Sequence, residues 1–519
     1  MRSLRASFIL LTTTLFGELN HLPSLYHSLD PLSIAQSLAF YELYPDSKEG
    51  KESLERAWKL LSGEESTISS ALALPKLDLQ AIISLVTKQP SDPPFNLTDS
   101  QLEVMEKLGN KLHNRSLKGF QAWTQKEVID LPSEEVDLSR ALLICQFEND
   151  PDFKRKILQY EASIDLMALQ IQKRLGHNAS HEETVRQINS FIFQEMGFRF
   201  PPHSIYAKDV DLYTFLPSVL DSRLGVCLGV SILYLCIAQR INLPLEIITP
   251  PGHIYLRYPS DQGVLNIETT ARGIHLPSET YLGINTRKLE NRSIKQAIGW
   301  SFINQASVSW GKKDYATTVE IYEKALPYLP EDPLLRMFLG MNYLFIGKKK
   351  EGKELLSKVD PLFDFAVSKE TIPIDYLNGQ VSIEGLQSIF TSVDEKRSSI
   401  LEKQASLLKI LKKYPKFRAG LLQLAITYLQ LGRNSEALDV LIRYHTIDPT
   451  DATVEYYLAA LSLDRLDYLN AWVYLKKAEE LTQERDHNPK ALKALKAELR
   501  KVCPDPTLRK SQDQIPSFQ

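Results

Sequence analysis

Cysteine is scarce in this chain: four among 519 residues, Cys145, Cys227, Cys236 and Cys503, too widely spaced for a CxxC pair or a zinc-ligand group. That excludes a disulfide framework and a structural zinc centre. The ten histidines are scattered and none forms an HExxH arrangement, so the sequence calls for no metal and no other cofactor. Neither sign of charge dominates. Sixty-one basic and 64 acidic side chains leave a formal net charge of −3, which argues against nucleic acid as a partner. The N-terminal apolar stretch from Ala6 to Phe16, broken by Ser7 and three threonines, falls short of the about 20 residues that cross a bilayer, and no transmembrane span is expected. With Arg2 and Arg5 before it, this stretch resembles a signal-peptide core, but no A-x-A site follows. Residues 1–17 are therefore read as either a signal segment of an exported protein or an amphipathic first helix of a cytoplasmic one.

What is present is ordinary globular composition, 43% hydrophobic and 24% charged, with chain enough for roughly three or four domains. Between Ser33 and Val86 the apolar residues Ile34, Leu38, Tyr41, Leu43, Leu54, Trp58, Leu60 and Leu61 recur mostly at helical intervals. The proline-rich run 89–95 reads as a linker or sharp turn. Further helices are expected around Gln101–Leu112, at Ser139–Leu143, in a long amphipathic stretch including Ile164–Leu175, and over Val185–Phe198. An apolar helix starts near Gly225 and stops at Asn242 and Pro244, since asparagine tolerates the left-handed conformation and proline cannot continue a helix. Three short strands follow at Leu245–Thr249, Ile254–Tyr258 and Val264–Thr269.

After Trp300 the pattern becomes repetitive. The stretch ending Tyr322-Glu323-Lys324-Ala325-Leu326-Pro327-Tyr328-Leu329-Pro330 resembles a tetratricopeptide unit, and a second bears Leu339, Gly340 and Tyr343. Ala459, Ser462 and Ala471 stand 34 residues after Ala425, Tyr428 and Ala437, the last three sharing their unit with Pro449. Phe390, Leu407 and Pro415 stand in the same relation to Leu424, Leu441 and Pro449, which predicts a degenerate repeat over 384–417. Helix pairs are thus expected across roughly 300–483, interrupted near 367–383 by an irregular insertion. A polar tail follows.

Chemistry concentrates around one thiol. Cys227 falls in the first turn of its helix after Gly225, where unpaired amides and the positive helix end favour a thiolate, the form a nucleophile needs. Cys236, nine residues on, is rotated by about 180° to the opposite side and reads as core. His253 follows Pro250-Pro251-Gly252 at the start of a strand, where period-two alternation puts it on one face with Tyr255 and Arg257. On the next strand Asn266 and Glu268 share a face, and either can accept the N–H of His253 and hold its tautomer. Periodicity does not choose between them.

Several motifs in order carry a family resemblance: Phe191-Ile192-Phe193-Gln194-Glu195-Met196-Gly197-Phe198, Leu220-Asp221-Ser222-Arg223-Leu224, Gly225-Val226-Cys227-Leu228-Gly229-Val230-Ser231, Ala238-Gln239-Arg240-Ile241-Asn242-Leu243-Pro244, Pro251-Gly252-His253 and Asn266-Ile267-Glu268. From about Ser139 to Leu289 the chain resembles the SirB-like branch of the bacterial transglutaminase-like superfamily, whose members often carry tetratricopeptide repeats after this domain. The resemblance implies an α+β fold, a papain-like core of one helix and a small antiparallel sheet followed by an all-α tetratricopeptide solenoid. It implies Cys227 as nucleophile and His253 as general base. The superfamily's third residue is usually aspartate, which aligns best with Glu268, while Asn266 stays the alternative.

The expected organisation is a candidate signal segment 1–17, a helical region 18–135, a transglutaminase-like domain 136–295, repeats 296–485 and a tail 486–519. Two functions fit it. One is a thiol enzyme acting by acyl transfer or hydrolysis on a peptide or protein amide, as peptidase, amidase or transglutaminase. The other is a catalytically silent domain serving as a scaffold that binds a peptide or protein through its repeats.

Overall fold

The computed structural model describes residues 21–62, 97–176, 178–201, 209–260, 263–394 and 396–505. The signal-like segment 1–17, the proline-rich linker, the helix expected beyond residue 62 and the tail after 505 lie outside the described residues.

Strands β1 (Glu246–Thr249), β2 (Tyr255–Ser260), β3 (Gly263–Ile267) and β4 (Glu290–Arg292) form one antiparallel sheet in the order β3-β2-β1-β4. The first three lie within a residue or two of their expected positions. The fourth, only Glu290-Asn291-Arg292, has no apolar alternation and is a strand because Ile247, Ile248 and Thr249 supply a pairing edge. The β1–β2 connection is a turn closed by His253 N on Pro250 O at 3.0 Å, with Gly252 at φ +72°. Proline at the second and glycine at the third position suit a type II turn, which needs positive φ at the third. β2 begins at Tyr255, so His253 belongs to this turn and not to the strand itself. β3 stops at Ile267, and Glu268 turns away to bridge Ile274.

The apolar helix runs from Cys227 to Arg240, and Asn242 takes φ +58° just before Pro244. By internal contacts the chain forms two compact units, and this helix contributes Cys227–Ser231 to one and the remainder to the other.

The first unit comprises the chain up to Arg199 with segments Phe215–Gly225 and Ile232–Leu245. Its long helix Phe153–Arg174 buries Ala162 and Leu166 against Ile34, Leu38, Leu54 and Met105. Buried charges here are paired. Arg240 Nε donates to Asp165 Oδ1 at 2.6 Å, Arg115 pairs with the same carboxylate, and Arg140 grips Glu161 through two 2.7 Å bonds. Removing one member of such a set strands the other in a low dielectric, at a cost of several kcal/mol. Cys236 lies fully buried beside this network, and burial pushes its thiol up. The helix expected over Val185–Phe198 is interrupted. It is an α-helix to Asn189 and a π-turn from Ser190 to Glu195.

The second unit holds the sheet and the repeats. Helix pairs Ile294–Gly311/Tyr315–Ala325, Pro333–Phe345/Lys349–Ser357, Arg418–Gln430/Asn434–Ile447 and Ala452–Asp464/Tyr468–Gln483 follow the tetratricopeptide pattern. The last two pairs start 34 residues apart, at Arg418 and Ala452 and at Asn434 and Tyr468. Ala425, Ala437, Ala459 and Ala471 are at most 1% exposed, because small residues are needed where paired helices touch. A Cβ on Gly340 would stand 3.1 Å from Leu356 Cγ, tighter than normal contact. Helices Ile383–Ile389 and Arg397–Lys413 occupy the degenerate repeat.

The insertion near 367–383 is more ordered than its composition indicates. It contains a helix, Ile372–Leu377, whose Asp375 is bound by Arg418 Nε at 3.0 Å, Nη2 at 2.7 Å and backbone N at 2.9 Å. The segment read as tail from 486 is also different: Lys490–Val502 is a helix that buries Leu492, Leu495 and Leu499 against the cluster around Trp472. Lysine-rich composition concealed its apolar stripe. The architecture is α+β, a core of helices with a small antiparallel sheet and an all-α solenoid of helix pairs.

Candidate functional site

Cys227 opens its helix just after Val226, whose N is anchored on Tyr213 O at 2.9 Å. Its own amide occupies the first helical position, where no intrahelical acceptor exists. The thiol is partly exposed. Thr269 ties this helix start to the sheet: its hydroxyl lies 3.0 Å from Ser231 Oγ and donates to Cys227 O at 3.5 Å.

The type II turn delivers His253 to the same place. Its Nε2 lies 2.8 Å from Glu268 Oε2, and its side chain is 26% exposed against 4% for Glu268. Nε2 is thus committed to the carboxylate, and the ring is also within hydrogen-bonding reach of Cys227. Burial opposes charge on the ring, but hydrogen bonds to Cys227 and Glu268 together with their negative charge outweigh it, raising His253 to about 9. For Glu268, burial favours the neutral acid, yet bonds from His253, Thr270 and Tyr281 prevail and hold the carboxyl below its ordinary value.

Glu268 is tightly oriented. Its Oε1 accepts from Thr270 N at 3.1 Å and Thr270 Oγ1 at 2.5 Å, while Oε2 takes the Tyr281 hydroxyl as well as His253. The Tyr281 ring stacks on Tyr255, centroids 4.5 Å apart, and on His253 at 5.7 Å. His253, in the turn, and Tyr255, the first residue of β2, thus both lie against the Tyr281 ring.

Asn266 stays away from His253. It pairs with Arg257 across β2 and β3, its Oδ1 accepting from Arg257 Nε at 3.2 Å, and its Nδ2 donates to Leu276 O at 2.7 Å and Ser278 Oγ at 3.0 Å. Among the four residues singled out from sequence, the fold brings together Cys227, His253 and Glu268, and employs Asn266 in fastening the loop that follows. Sequence reasoning missed Thr270 and Tyr281. Thr270 sits two residues past Glu268, a spacing typical of a carboxylate capping a turn; Tyr281 lies in an aperiodic loop and leaves no local signal. Among the described residues, no group of three or more His, Cys, Asp or Glu side chains is disposed to hold a metal ion, and no helix is long and apolar enough to cross a membrane.

A buried carboxylate, an imidazole and a thiol at a helix start stand together at this place, and residues 158–296, which contain all three, match the transglutaminase-like superfamily. The chain thus contains a transglutaminase-like domain. A UPF0162 protein of Xylella fastidiosa strain Temecula1 is 25% identical over 142 residues, 27% of this chain and 48% of that protein, and its counterpart in strain 9a5c matches equally. The chain spans about half the length of these curated relatives. Among solved structures, MamA is 16% identical with a TM-score of 0.18, covering 34% of this chain and 94% of its own. A thermophilic TPR protein of Thermus thermophilus is 18% identical with a TM-score of 0.20, covering 39% and 98%.

Proposed function

We propose that this protein is a thiol enzyme of the SirB-like branch that cleaves or transfers an acyl group from a peptide or protein amide, with Cys227 as nucleophile, His253 as acid and base, and Glu268 as the residue that orients it. The observation carrying this reading is the continuous link from a buried, triply bonded Glu268 through His253 to the partly exposed Cys227. A carboxylate so constrained is costly to bury unless it serves its partner.

In this mechanism the Cys227 sulfur attacks the amide carbonyl carbon after yielding its proton to His253, and a C–S bond forms as the carbonyl oxygen takes up negative charge near the Cys227 amide. Protonated His253 then donates to the leaving nitrogen, the C–N bond breaks, and a thioester remains on Cys227. Water or a primary amine, deprotonated by His253, attacks the thioester and returns the sulfur. Water gives hydrolysis or glutamine deamidation, and an amine gives transamidation. Glu268 stabilises the imidazolium throughout without taking the proton. The repeats supply a surface for a protein or peptide partner.

Incubating the protein with cell-derived peptides and hydroxylamine tests this. Hydroxamates formed by wild type and absent with Cys227→Ala support the enzyme. Equal yields from both proteins, or none from either, reject it and leave the silent scaffold.

A further inference from the structure

The loop after Glu268 is fastened at both ends by different parts of the second unit. At its near end Asn266 binds Leu276 O and Ser278 Oγ, and its backbone N donates to His275 Nδ1 at 3.0 Å. Next comes the short 3₁₀ turn Ser278–Tyr281, which delivers the Tyr281 hydroxyl to Glu268 Oε2, the oxygen facing His253. Immediately beyond, residues 283–288 pack against the repeat segment. Gly283 O accepts from His487 Nε2 at 2.7 Å. Ile284 is buried in the cluster of Val367, Ala459, Trp472 and Leu475. Asn285 Oδ1 accepts from Ser368 N at 2.6 Å and Val367 N at 3.1 Å, and Thr286 bridges Ala366. Arg287 and Lys288 both hold Asp364, at 2.6 Å each.

We propose that Tyr281 is a positioning residue for the candidate site and that the strap 282–288 makes its placement depend on the repeat segment, so that the insertion at 364–368 and His487 help set how Glu268 holds His253. This inference rests on the Cys227–His253–Glu268 reading and assigns that site its control. Thr270 fixes one carboxylate oxygen from within the same turn, a local contact that moves with Glu268. Tyr281 fixes the other oxygen from a segment whose position Glu268 does not determine. Its ring also stacks on the His253 ring, centroids 5.7 Å apart. Displacing the strap by about 1 Å would swing the hydroxyl off Oε2, an error large enough to spoil a catalytic geometry.

The test is the titration of the His253 ring, followed by NMR in the intact protein, for wild type, Tyr281→Leu, Tyr281→Phe and the strap variant Asn285→Ala/His487→Ala. The expected result is a midpoint about one unit lower in Tyr281→Leu, a tenfold loss of proton affinity. Tyr281→Phe recovers part of it, because the stacked ring remains. The strap variant shows a fall of the same sign, although neither of its substitutions touches His253 or Glu268. A midpoint unchanged or raised in folded Tyr281→Leu overturns the positioning role, and a normal midpoint in the folded strap variant overturns the dependence on the repeats; if that variant does not fold, Asn285→Ala alone decides. The ring titrates whether or not Cys227 reacts, so absence of thiol chemistry in wild type refutes the enzyme without touching this result.

Discussion

His253 and Glu268 meet at 2.8 Å although fifteen residues separate them, because β2 and β3 are antiparallel and Glu268 leaves its strand just past the end of the ladder. Asn266, two residues earlier on the same face, is registered against Arg257 instead. Strand geometry thus separates two residues that alternation made equivalent.

Glu268→Gln removes the negative charge facing the ring, so the His253 midpoint is expected to fall from about 9 toward its ordinary 6.5. Asn266→Ala is expected to act differently, costing about 1 kcal/mol of stability for each hydrogen bond that this buried side chain loses to its half-buried partners Arg257, Leu276 and Ser278, with a smaller effect on His253. NMR titration and urea unfolding of the two variants distinguish these outcomes.

The two thiols on one helix should differ in access. A thiol-directed reagent is expected to label Cys227 in the folded protein and to reach Cys236, 0% exposed, only after unfolding. Mass-spectrometric mapping before and after denaturant checks this, and labelling of folded Cys236 at the rate of Cys227 would contradict it.

Much of this was legible in sequence because it depends on local rules. Pro251-Gly252 dictates the turn before His253, Asn242 and Pro244 end the helix, and small residues at 34-residue spacing mark the repeats. What was not legible depends on distant partners. β4 exists through pairing with β1, the helix Ile372–Leu377 is held by Arg418, and Tyr281 is placed by a loop tied down elsewhere. The choice of Glu268 over Asn266 as neighbour of His253 required knowing where the ladder ends.

Stability should depend on pH through the same pair. His253 is raised in the fold, so its contribution is complete below about 6.5 and lost as pH rises through about 9. Glu268 is lowered, so its contribution is present above its ordinary 4.5 and lost as pH falls through its depressed folded value. Unfolding free energies of wild type and a His253→Gln/Glu268→Gln double variant should therefore differ most between about pH 5 and 6.5, and the gap should narrow as pH rises through about 9, where the His253 part is lost, and as it falls into acid, where the Glu268 part is lost.

Within the repeats, Arg418 also donates to Asp448 Oδ2 at 2.6 Å, making it the joint between the insertion and two helices. Arg418→Met leaves the fully buried Asp375 without its cation. A loss of about 3–5 kcal/mol is expected, read by chemical denaturation. A loss under about 1 kcal/mol, the range of exposed pairs, would show that this ion pair is dispensable.

The central claim, that His253 activates Cys227, is tested most directly by the rate of Cys227 alkylation with iodoacetamide between about pH 5 and 9 in wild type and His253→Ala. The account predicts that wild type keeps most of its rate at pH 6, while His253→Ala gains reactivity only as pH approaches about 8.5, where an ordinary thiol ionises. The same profile in both proteins would contradict it.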